Sequence, residues 1–264
     1  MISAAPGILA RIIGHKRAEL AEASRHRAAL ERRAADRAAD SKSARDFRAA
    51  LTANSPAIIA EIKKASPSRG VLLESFDPPS IARSYAAGGA AALSVLTDRE
   101  FFLGSLADLE SARAAVAIPA LRKDFTIDEF QVIEAAAHGA DAILLIAAVL
   151  DEKEIRRFRE LAATFKMAAL VEVHDAAELD AALASGAEIV GVNNRDLNTF
   201  EVKLETSLRL AERIPANVVK VSESGIHSSA DVQRLARAGF HAFLVGEHLM
   251  KSEDPAAALR ALRA

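Results

Sequence analysis

Residues 58–70, IIAEIKKASPSRG, begin as a short apolar run of the kind that forms a buried strand. Glu61 and Lys63 interrupt this run, and because side chains alternate along a strand, both point to the same face. Burying a charge is costly unless the charge is paired or used. Two charges on one strand face, followed by a loop of hydroxyls and turn residues, predict a site at the carboxyl end of a strand in an α/β enzyme. The alternative is an edge strand with its polar face in solvent.

Similar apolar runs recur along the chain at spacings of roughly 20–30 residues, which is typical of repeated strand–loop–helix units. Candidate strands lie at residues 57–63, 91–97, 118–123, 142–147, 168–173, 188–192, 217–221 and 241–245. Helix-period segments lie between and after them, at residues 78–87, 106–115, 128–138, 151–165, 176–184, 204–213, 229–238 and 255–263. This alternation predicts a closed (β/α)8 TIM barrel. An open doubly wound sheet is the alternative, although no G-x-G-x-x-G follows the first strand.

Local signals mark where the helices begin and end. The predicted N-caps are Asp128, Asp151, Asp175 and Ser228 or Ser229. Glycines that can adopt the left-handed conformation needed after a helix stand before several strands, at Gly88-Gly89, Gly139, Gly186 and Gly239. We therefore expect each helix to stop just before the next strand begins.

The segment before the first strand is predicted to be helical. Residues 8–39 read as helix, and a short helix at residues 44–51, capped by Ser43, ends at Asn54-Ser55-Pro56. We predict a single barrel domain over residues 1–264, with residues 1–54 as a helical N-terminal extension. The apolar stripe of residues 8–13 is expected to pack near the eighth strand at the barrel mouth and to help enclose a substrate.

Composition excludes several classes of protein. Half of the 264 residues are hydrophobic and the net charge is −2, so the overall charge gives no sign of nucleic acid or of an acidic membrane as a partner. The absence of cysteine excludes disulfides, thiolate zinc sites and cysteine nucleophiles. The longest apolar run, residues 142–150, is too short to span a membrane, and the N-terminus lacks the apolar core of a signal peptide. We expect a cytoplasmic protein. The seven histidines show no metal-binding spacing, so no metal is expected.

Charged residues recur at the carboxyl ends of the predicted strands. Besides Glu61 and Lys63, they include Lys123, Glu172, Arg195, Glu223 and Glu247. Because these ends meet at one face of a barrel, they predict an active site there. A salt-bridge network that only closes the barrel mouth is the alternative for some of these groups.

Two of the strand ends have the composition of a phosphate site. Ser224 and Gly225 lie between the seventh strand and a helix, and Gly246 follows the eighth strand. Glycine permits close approach of an anion to backbone N–H groups, and barrels often bind phosphate with the loops after strands 7 and 8. The alternative is that both are ordinary turn glycines.

The chain resembles the indole-3-glycerol-phosphate synthase family through seven short motifs in order. They are AEIKKASPS at 60–68, LSVLTD at 93–98, FFLGS at 101–105, LRKDF at 121–125, LVEVH at 170–174, GVNNRDL at 191–197 and VSESGIH at 221–227. The resemblance covers essentially the whole chain. It implies ring closure of 1-(2-carboxyphenylamino)-1-deoxyribulose 5-phosphate to indole-3-glycerol phosphate, with loss of carbon dioxide and water and without a cofactor.

The resemblance also implies roles for individual residues. Lys123 matches the general acid at the sugar carbonyl, and Lys63 matches a second lysine that either holds the substrate or acts as an acid in dehydration. Glu172 resembles the general base or proton shuttle of dehydration, and Glu61 a carboxylate that positions or expels the hydroxyl. The remaining matches are catalytic Asn193, Arg195 and Glu223, and substrate-binding Ser66, Phe125, Ser224, Gly225, Gly246 and Glu247. Arg195 and Asn193 match residues that hold the carboxylate and the sugar hydroxyls.

Two other functions remain open at this point. One is a different ribulose-phosphate-binding barrel, such as phosphoribosylanthranilate isomerase, although that type of isomerase uses a cysteine that this chain lacks. The other is a barrel that binds a phosphorylated ligand without catalysis. We expect a small phosphorylated substrate as partner, and a monomer or weak homodimer. His248 stands where many relatives carry serine or threonine, so phosphate contacts there are expected from the backbone alone.

Overall fold

The computed structural model describes residues 7–23, 27–40, 43–67, 69–196 and 199–264, so Ser68 and Leu197 of the quoted motifs lie outside it. Its strands are β1 (Ala57–Ile62), β2 (Ala65–Ser66), β3 (Gly70–Val71), β4 (Ala92–Leu96), β5 (Ala120–Lys123), β6 (Ala142–Ile146), β7 (Ala168–Val173), β8 (Ile189–Asn193), β9 (Val219–Glu223) and β10 (Ala242–Val245). All except the β2–β3 hairpin are parallel neighbours in one closed barrel, with β1 paired to both β4 and β10. The predicted TIM barrel is confirmed, and the doubly wound sheet and the edge strand are wrong.

Helices follow the barrel strands as the sequence predicts. They are α1 (Ile8–Ala23), α2 (Arg27–Ala39), α3 (Phe47–Ala53), α4 (Pro78–Ala87), α5 (Leu106–Ala114), α6 (Glu129–Ala137), α7 (Glu152–Thr164), α8 (Ala176–Ala184), α9 (Glu205–Ala211), α10 (Ser229–Arg237), α11 (Glu247–Met250) and α12 (Pro255–Leu262). The N-caps Asp128, Asp151, Asp175 and Ser228 are confirmed. Gly139, with φ of 87°, follows α6 in the left-handed conformation that glycine adopts most easily.

The region before the barrel differs from the prediction in two places. The helix predicted at 8–39 is described as two helices, and residues 24–26 between them lie outside the described part of the chain. The next helix begins at Phe47 and not at residue 44. Its N-cap is Asp46, whose carboxylate accepts a hydrogen bond from the Ala49 backbone. Ser43 does not cap it, because its hydroxyl donates to the Arg37 carbonyl at 2.6 Å. No described helix is long and apolar enough to cross a membrane.

Asp141, at the amino end of β6, joins the N-terminal segment to the bottom of the barrel. Its carboxylate is 1% exposed and forms ion pairs with Arg37 of α2 at 2.9 Å and Arg113 at 2.8 Å. It also accepts hydrogen bonds from the backbone N–H groups of Arg45 and Ala120. One buried carboxylate therefore compensates two guanidinium groups and fixes two segments of backbone.

Replacing Asp141 with asparagine is expected to lower the free energy of unfolding by about 3–5 kcal/mol, since the change removes the buried carboxylate of the network and leaves two half-buried guanidinium groups without their counterion. Urea denaturation measures this. The matched control is Asp180→Asn, which removes an exposed ion pair with Arg213 and should cost about 0–1 kcal/mol. Equal losses in the two variants would show that Asp141 does not hold the N-terminal helices to the barrel.

Candidate active site

The carboxyl ends of the barrel strands surround one cavity of about 470 Å³, a volume suited to a small-molecule ligand. Every residue predicted for the site lines this cavity: Glu61, Lys63, Ser66, Lys123, Phe125, Glu172, Asn193, Arg195, Glu223, Ser224, Gly225, Gly246 and Glu247. They come from six barrel strands and the loops that follow them. The fold therefore gathers residues that are separated by up to 186 positions in sequence.

Lys123 lies at the centre of the charged groups. Its ammonium is 2.6 Å from Glu172 Oε2 and 3.1 Å from Glu223 Oε2, so it bridges the ends of β7 and β9. Burial alone lowers the pKa of Lys123, but the carboxylates of Glu172, Glu223 and Glu61 reverse this effect and raise the pKa above its ordinary value. Lys123 is therefore protonated.

Glu61 and Lys63 form a second pair on the opposite wall. The Lys63 ammonium contacts Glu61 Oε1, as their shared strand face predicts. Gly246 is next to this pair, and a Cβ atom at that position would overlap the Glu61 carboxylate. Gly246 thus leaves room for the Glu61 carboxylate, besides following β10.

A hydrogen-bond chain connects β7, β8 and β9. Asn193 donates from Nδ2 to Glu172 Oε1 at 3.1 Å, and its Oδ1 accepts from the Ser224 hydroxyl at 2.9 Å. The same Oδ1 accepts from the Arg195 backbone N–H at 3.0 Å. These bonds fix the amide orientation of Asn193 and hence one face of the Glu172 carboxylate. Arg195 also lines the cavity, and its Nη1 donates to the Phe200 carbonyl at 3.4 Å.

The loop after β9 has an unusual backbone. Ser224 and Gly225 both have positive φ, 68° and 78°, and for serine this conformation is strained. Asn194 holds the loop in place by donating to the Ser224 carbonyl at 3.0 Å. After β10, Gly246 precedes the helical turn α11. The Glu247 carboxylate at its start pairs with Lys251 at 2.6 Å and Arg69 at 3.4 Å.

The charges of the central cluster do not balance. Two ammonium groups, Lys63 and Lys123, face the three carboxylates of Glu61, Glu172 and Glu223. Glu223 Oε1 is buried and has no hydrogen-bond partner. Burial and the negative charges of Glu172 and Glu61 raise the pKa of Glu223 from 4.5 to about 7, although the positive charge of Lys123 opposes this shift. One carboxyl of the cluster therefore carries a proton below neutral pH.

This raised pKa makes the stability of the protein depend on pH. Below its ordinary pKa of 4.5, Glu223 is protonated in both the folded and the unfolded protein, so it does not destabilise the fold. As the pH rises from 4.5 to about 7, only the folded protein keeps this proton, and the free energy of unfolding falls. The Glu223→Gln variant, which stays neutral, should therefore gain roughly 3 kcal/mol relative to wild type between pH 4.5 and pH 8. Urea denaturation at both pH values tests this, with the exposed Glu201→Gln as control. Parallel stability curves for wild type and Glu223→Gln would contradict it.

The N-terminal helix closes one side of the cavity. Ile8, Leu9 and Ile12 of α1 line it, in agreement with the expected enclosing role of this stripe. The packing of this stripe near the eighth strand stays a prediction. Lys16 of the same helix forms ion pairs at the ends of β4 and β5.

Sequence reasoning missed several residues that line the cavity. Arg69 and His227 both line it, although each stands in the sequence analysis only as a member of a quoted stretch. His227 and His248 face each other edge-on with ring centroids 6.2 Å apart, next to Gly225 and Gly246. Burial, together with His227, lowers the pKa of His248. Spacing in sequence gives no signal for this pair, because the two loops meet only in the closed barrel. No cluster of metal-ligating side chains exists among the described residues.

Comparison with known proteins adds to this geometry. A sequence model of the family described as "Indole-3-glycerol phosphate synthase" matches residues 9–262. Proteins of that name from a Polaromonas species and from Chromobacterium violaceum are 51% and 52% identical over 257 and 259 residues, which is 97% of this chain and 97% of each relative.

Solved structures with low sequence identity share the fold. Thiamine phosphate pyrophosphorylase from Pyrococcus furiosus superposes with a TM-score of 0.59 at 18% identity, over 78% of this chain and 93% of that one. KGPDC from Streptococcus mutans gives 0.60 at 16% identity, over 78% and 95%. At this identity the similarity concerns the barrel alone.

Proposed function

The chain belongs to the indole-3-glycerol phosphate synthase family, and we propose that Lys123, held between Glu172 and Glu223, is the acid with which it closes the indole ring. Members of this family are carbon–carbon lyases of tryptophan synthesis. Ring closure converts 1-(2-carboxyphenylamino)-1-deoxyribulose 5-phosphate to indole-3-glycerol phosphate, and carbon dioxide and water leave. The observation that carries the proposal is the Lys123 ammonium, which bridges two buried carboxylates in a cavity of the right size.

The first step requires a proton at the sugar carbonyl, whose oxygen becomes negative as the aromatic carbon attacks C2. Lys123 supplies this proton. Its pKa is held high by three carboxylates, and protonation of Glu223 removes one of those charges and makes Lys123 a stronger acid. The electrons released by decarboxylation are accepted by the iminium that ring closure generates, so the reaction needs no cofactor.

Glu172 moves the proton of the dehydration step. It is within 2.6 Å of the ammonium that becomes an amine in the first step, so a proton can return along the same contact. Asn193 keeps the other carboxylate oxygen in place. Lys63 and Glu61, already in contact, assist departure of the hydroxyl from the opposite wall, with Lys63 as proton donor and Glu61 as the group that orients it.

The two anionic ends of the substrate are bound at different places. Arg195 binds the benzoate carboxylate, for which a guanidinium is a good planar partner. Backbone N–H groups around Ser224, Gly225, Gly246 and Glu247 bind the phosphate. The Glu247 carboxylate does not take part, because it is held by Lys251 and Arg69. Ser66 and Phe125 line the cavity beside these groups and contact the substrate there.

The helices before β1 act with the barrel as one catalytic unit, because α1 lines the cavity. We propose that this unit is cytoplasmic and works as a monomer or weak homodimer, since every group needed for the reaction lies in one chain.

Product formation tests the function directly. The chain has no tryptophan, so indole fluorescence that appears when substrate is added comes from the product alone. Purified protein should convert the substrate completely, with carbon dioxide released in equal amount. Tight binding of the substrate without any product would instead identify a barrel that binds a phosphorylated ligand without catalysis.

A further inference from the structure

Lys16 of α1 is the one described residue of the N-terminal helices whose ammonium reaches the strand ends next to the active site. It is 3% exposed, and Nζ lies 2.9 Å from Asp98 Oδ2, 3.0 Å from Asp124 Oδ1 and 2.9 Å from Glu19 Oε2. Asp98 follows β4 and Asp124 follows β5. One ammonium thus connects a helix to the ends of two barrel strands.

The two aspartates depend on this ammonium. Asp98 is completely buried, and Asp124 is almost so. Asp98 otherwise accepts the backbone N–H of Phe101, while Asp124 accepts the Thr97 hydroxyl at 2.6 Å and pairs with Arg122 at 3.2 Å. Without Lys16, two buried carboxylates remain near a single cation, which is unfavourable.

Asp124 is the immediate neighbour of Lys123. The Asp124 carboxylate points towards α1, and the Lys123 side chain points into the barrel. Asp124 Oδ1 accepts the N–H of Phe125 at 2.8 Å as well as the Lys16 ammonium at 3.0 Å. The backbone that carries Lys123 and Phe125, both of which line the cavity, is therefore held through Asp124 by the contact with α1.

We infer that Lys16 is a positioning residue, which holds the end of β5 through Asp124 so that Lys123 meets the reacting carbonyl in the correct orientation. This inference rests on the function proposed above. It assigns α1 a second task, since Ile8, Leu9 and Ile12 of the same helix already form a wall of the cavity. A misplacement of an acid by about 1 Å can cost on the order of a hundredfold in rate.

The test compares the double variant Lys16→Met/Asp98→Asn with Asp98→Asn alone. The double variant removes one ammonium and one carboxylate together, so the buried cluster keeps its net charge. The variant therefore avoids the full free-energy cost of leaving buried carboxylates without a cation. We expect its kcat to be at least tenfold below that of Asp98→Asn, although the thermal midpoints of the two differ little. Glu19→Gln, which removes the half-buried third partner of Lys16, is the matched control and should keep wild-type kcat.

Two measurements separate positioning from other roles. If the double variant has a kcat within threefold of Asp98→Asn and only its KM is raised, α1 lines the cavity without positioning Lys123. This result would overturn the inference. Amide hydrogen exchange of residues 120–125 decides independently of turnover: we expect faster exchange in the double variant than in Asp98→Asn, and equal rates would also overturn the inference. Absence of product from wild type concerns only the proposed function.

Discussion

Replacing Lys123 with alanine is expected to lower kcat by about three to four orders of magnitude. The variant loses a general acid, which is typically worth 10²–10⁴-fold, and a cation next to the oxygen that becomes negative. It also leaves Glu172 and Glu223 facing each other without the ammonium that lies 2.6 and 3.1 Å from them. Single-turnover fluorescence of the indole product measures the effect on chemistry apart from product release.

Lys123→Arg separates proton donation from charge. The guanidinium keeps the positive charge and therefore the compensation of both carboxylates, but its pKa is too high for it to hand over a proton. We expect its kcat to remain within about tenfold of the alanine variant. Lys153→Met, an exposed change on α7, is the control and should be fully active. Recovery of near wild-type kcat in Lys123→Arg would mean that Lys123 acts through its charge and not as an acid.

Glu172→Gln is expected to lower kcat by about two to three orders of magnitude, which is the usual contribution of a positioned proton shuttle. Glutamine has nearly the same shape and keeps an oxygen for the Asn193 amide, which now lies 3.1 Å from Glu172 Oε1. What it loses is the ability to take a proton from the ammonium 2.6 Å away. The substrate should still bind, so KM should change much less than kcat.

The stage of the reaction at which Glu172→Gln fails is informative. If Glu172 serves dehydration, carbon dioxide is still released in a first turnover, whereas the indole product is delayed. Release of carbon dioxide and indole with equal delay would place Glu172 in ring closure and contradict the assigned role. Glu160→Gln on the outer helix α7 is the exposed control, and it should match wild type in both signals.

The two lysines illustrate how environment assigns roles to like groups. Lys63 contacts one carboxylate, that of its strand neighbour Glu61, whereas Lys123 bridges carboxylates of two other strands. The pair on β1 is set by alternation along a single strand and was predicted from it. The bridge made by Lys123 depends on which strands become neighbours across the mouth, and no local pattern contains that information.

Much of the fold followed from local signals. These signals are the apolar strand runs, the aspartate and serine N-caps and the glycines after helices. Each depends only on the residues of a segment of about ten residues, so it can be predicted without knowing the rest of the fold. The errors also occurred where a local signal had a competitor. Ser43 resembles an N-cap, but Asp46 takes that place and Ser43 bonds to Arg37 instead.

Local spacing and the quoted motifs were enough to predict the alternation of strands and helices, the family, and the side chains at the barrel mouth, because each depends on a single segment or on a motif. The tertiary structure alone decided that Lys123 meets Glu172 and Glu223, that Gly246 makes room for Glu61, and that Lys16 reaches Asp98 and Asp124. These contacts join residues that are 49 to 185 positions apart in sequence. Their geometry is fixed by how the sheet closes and how α1 docks on it, and closure is a property of the whole barrel.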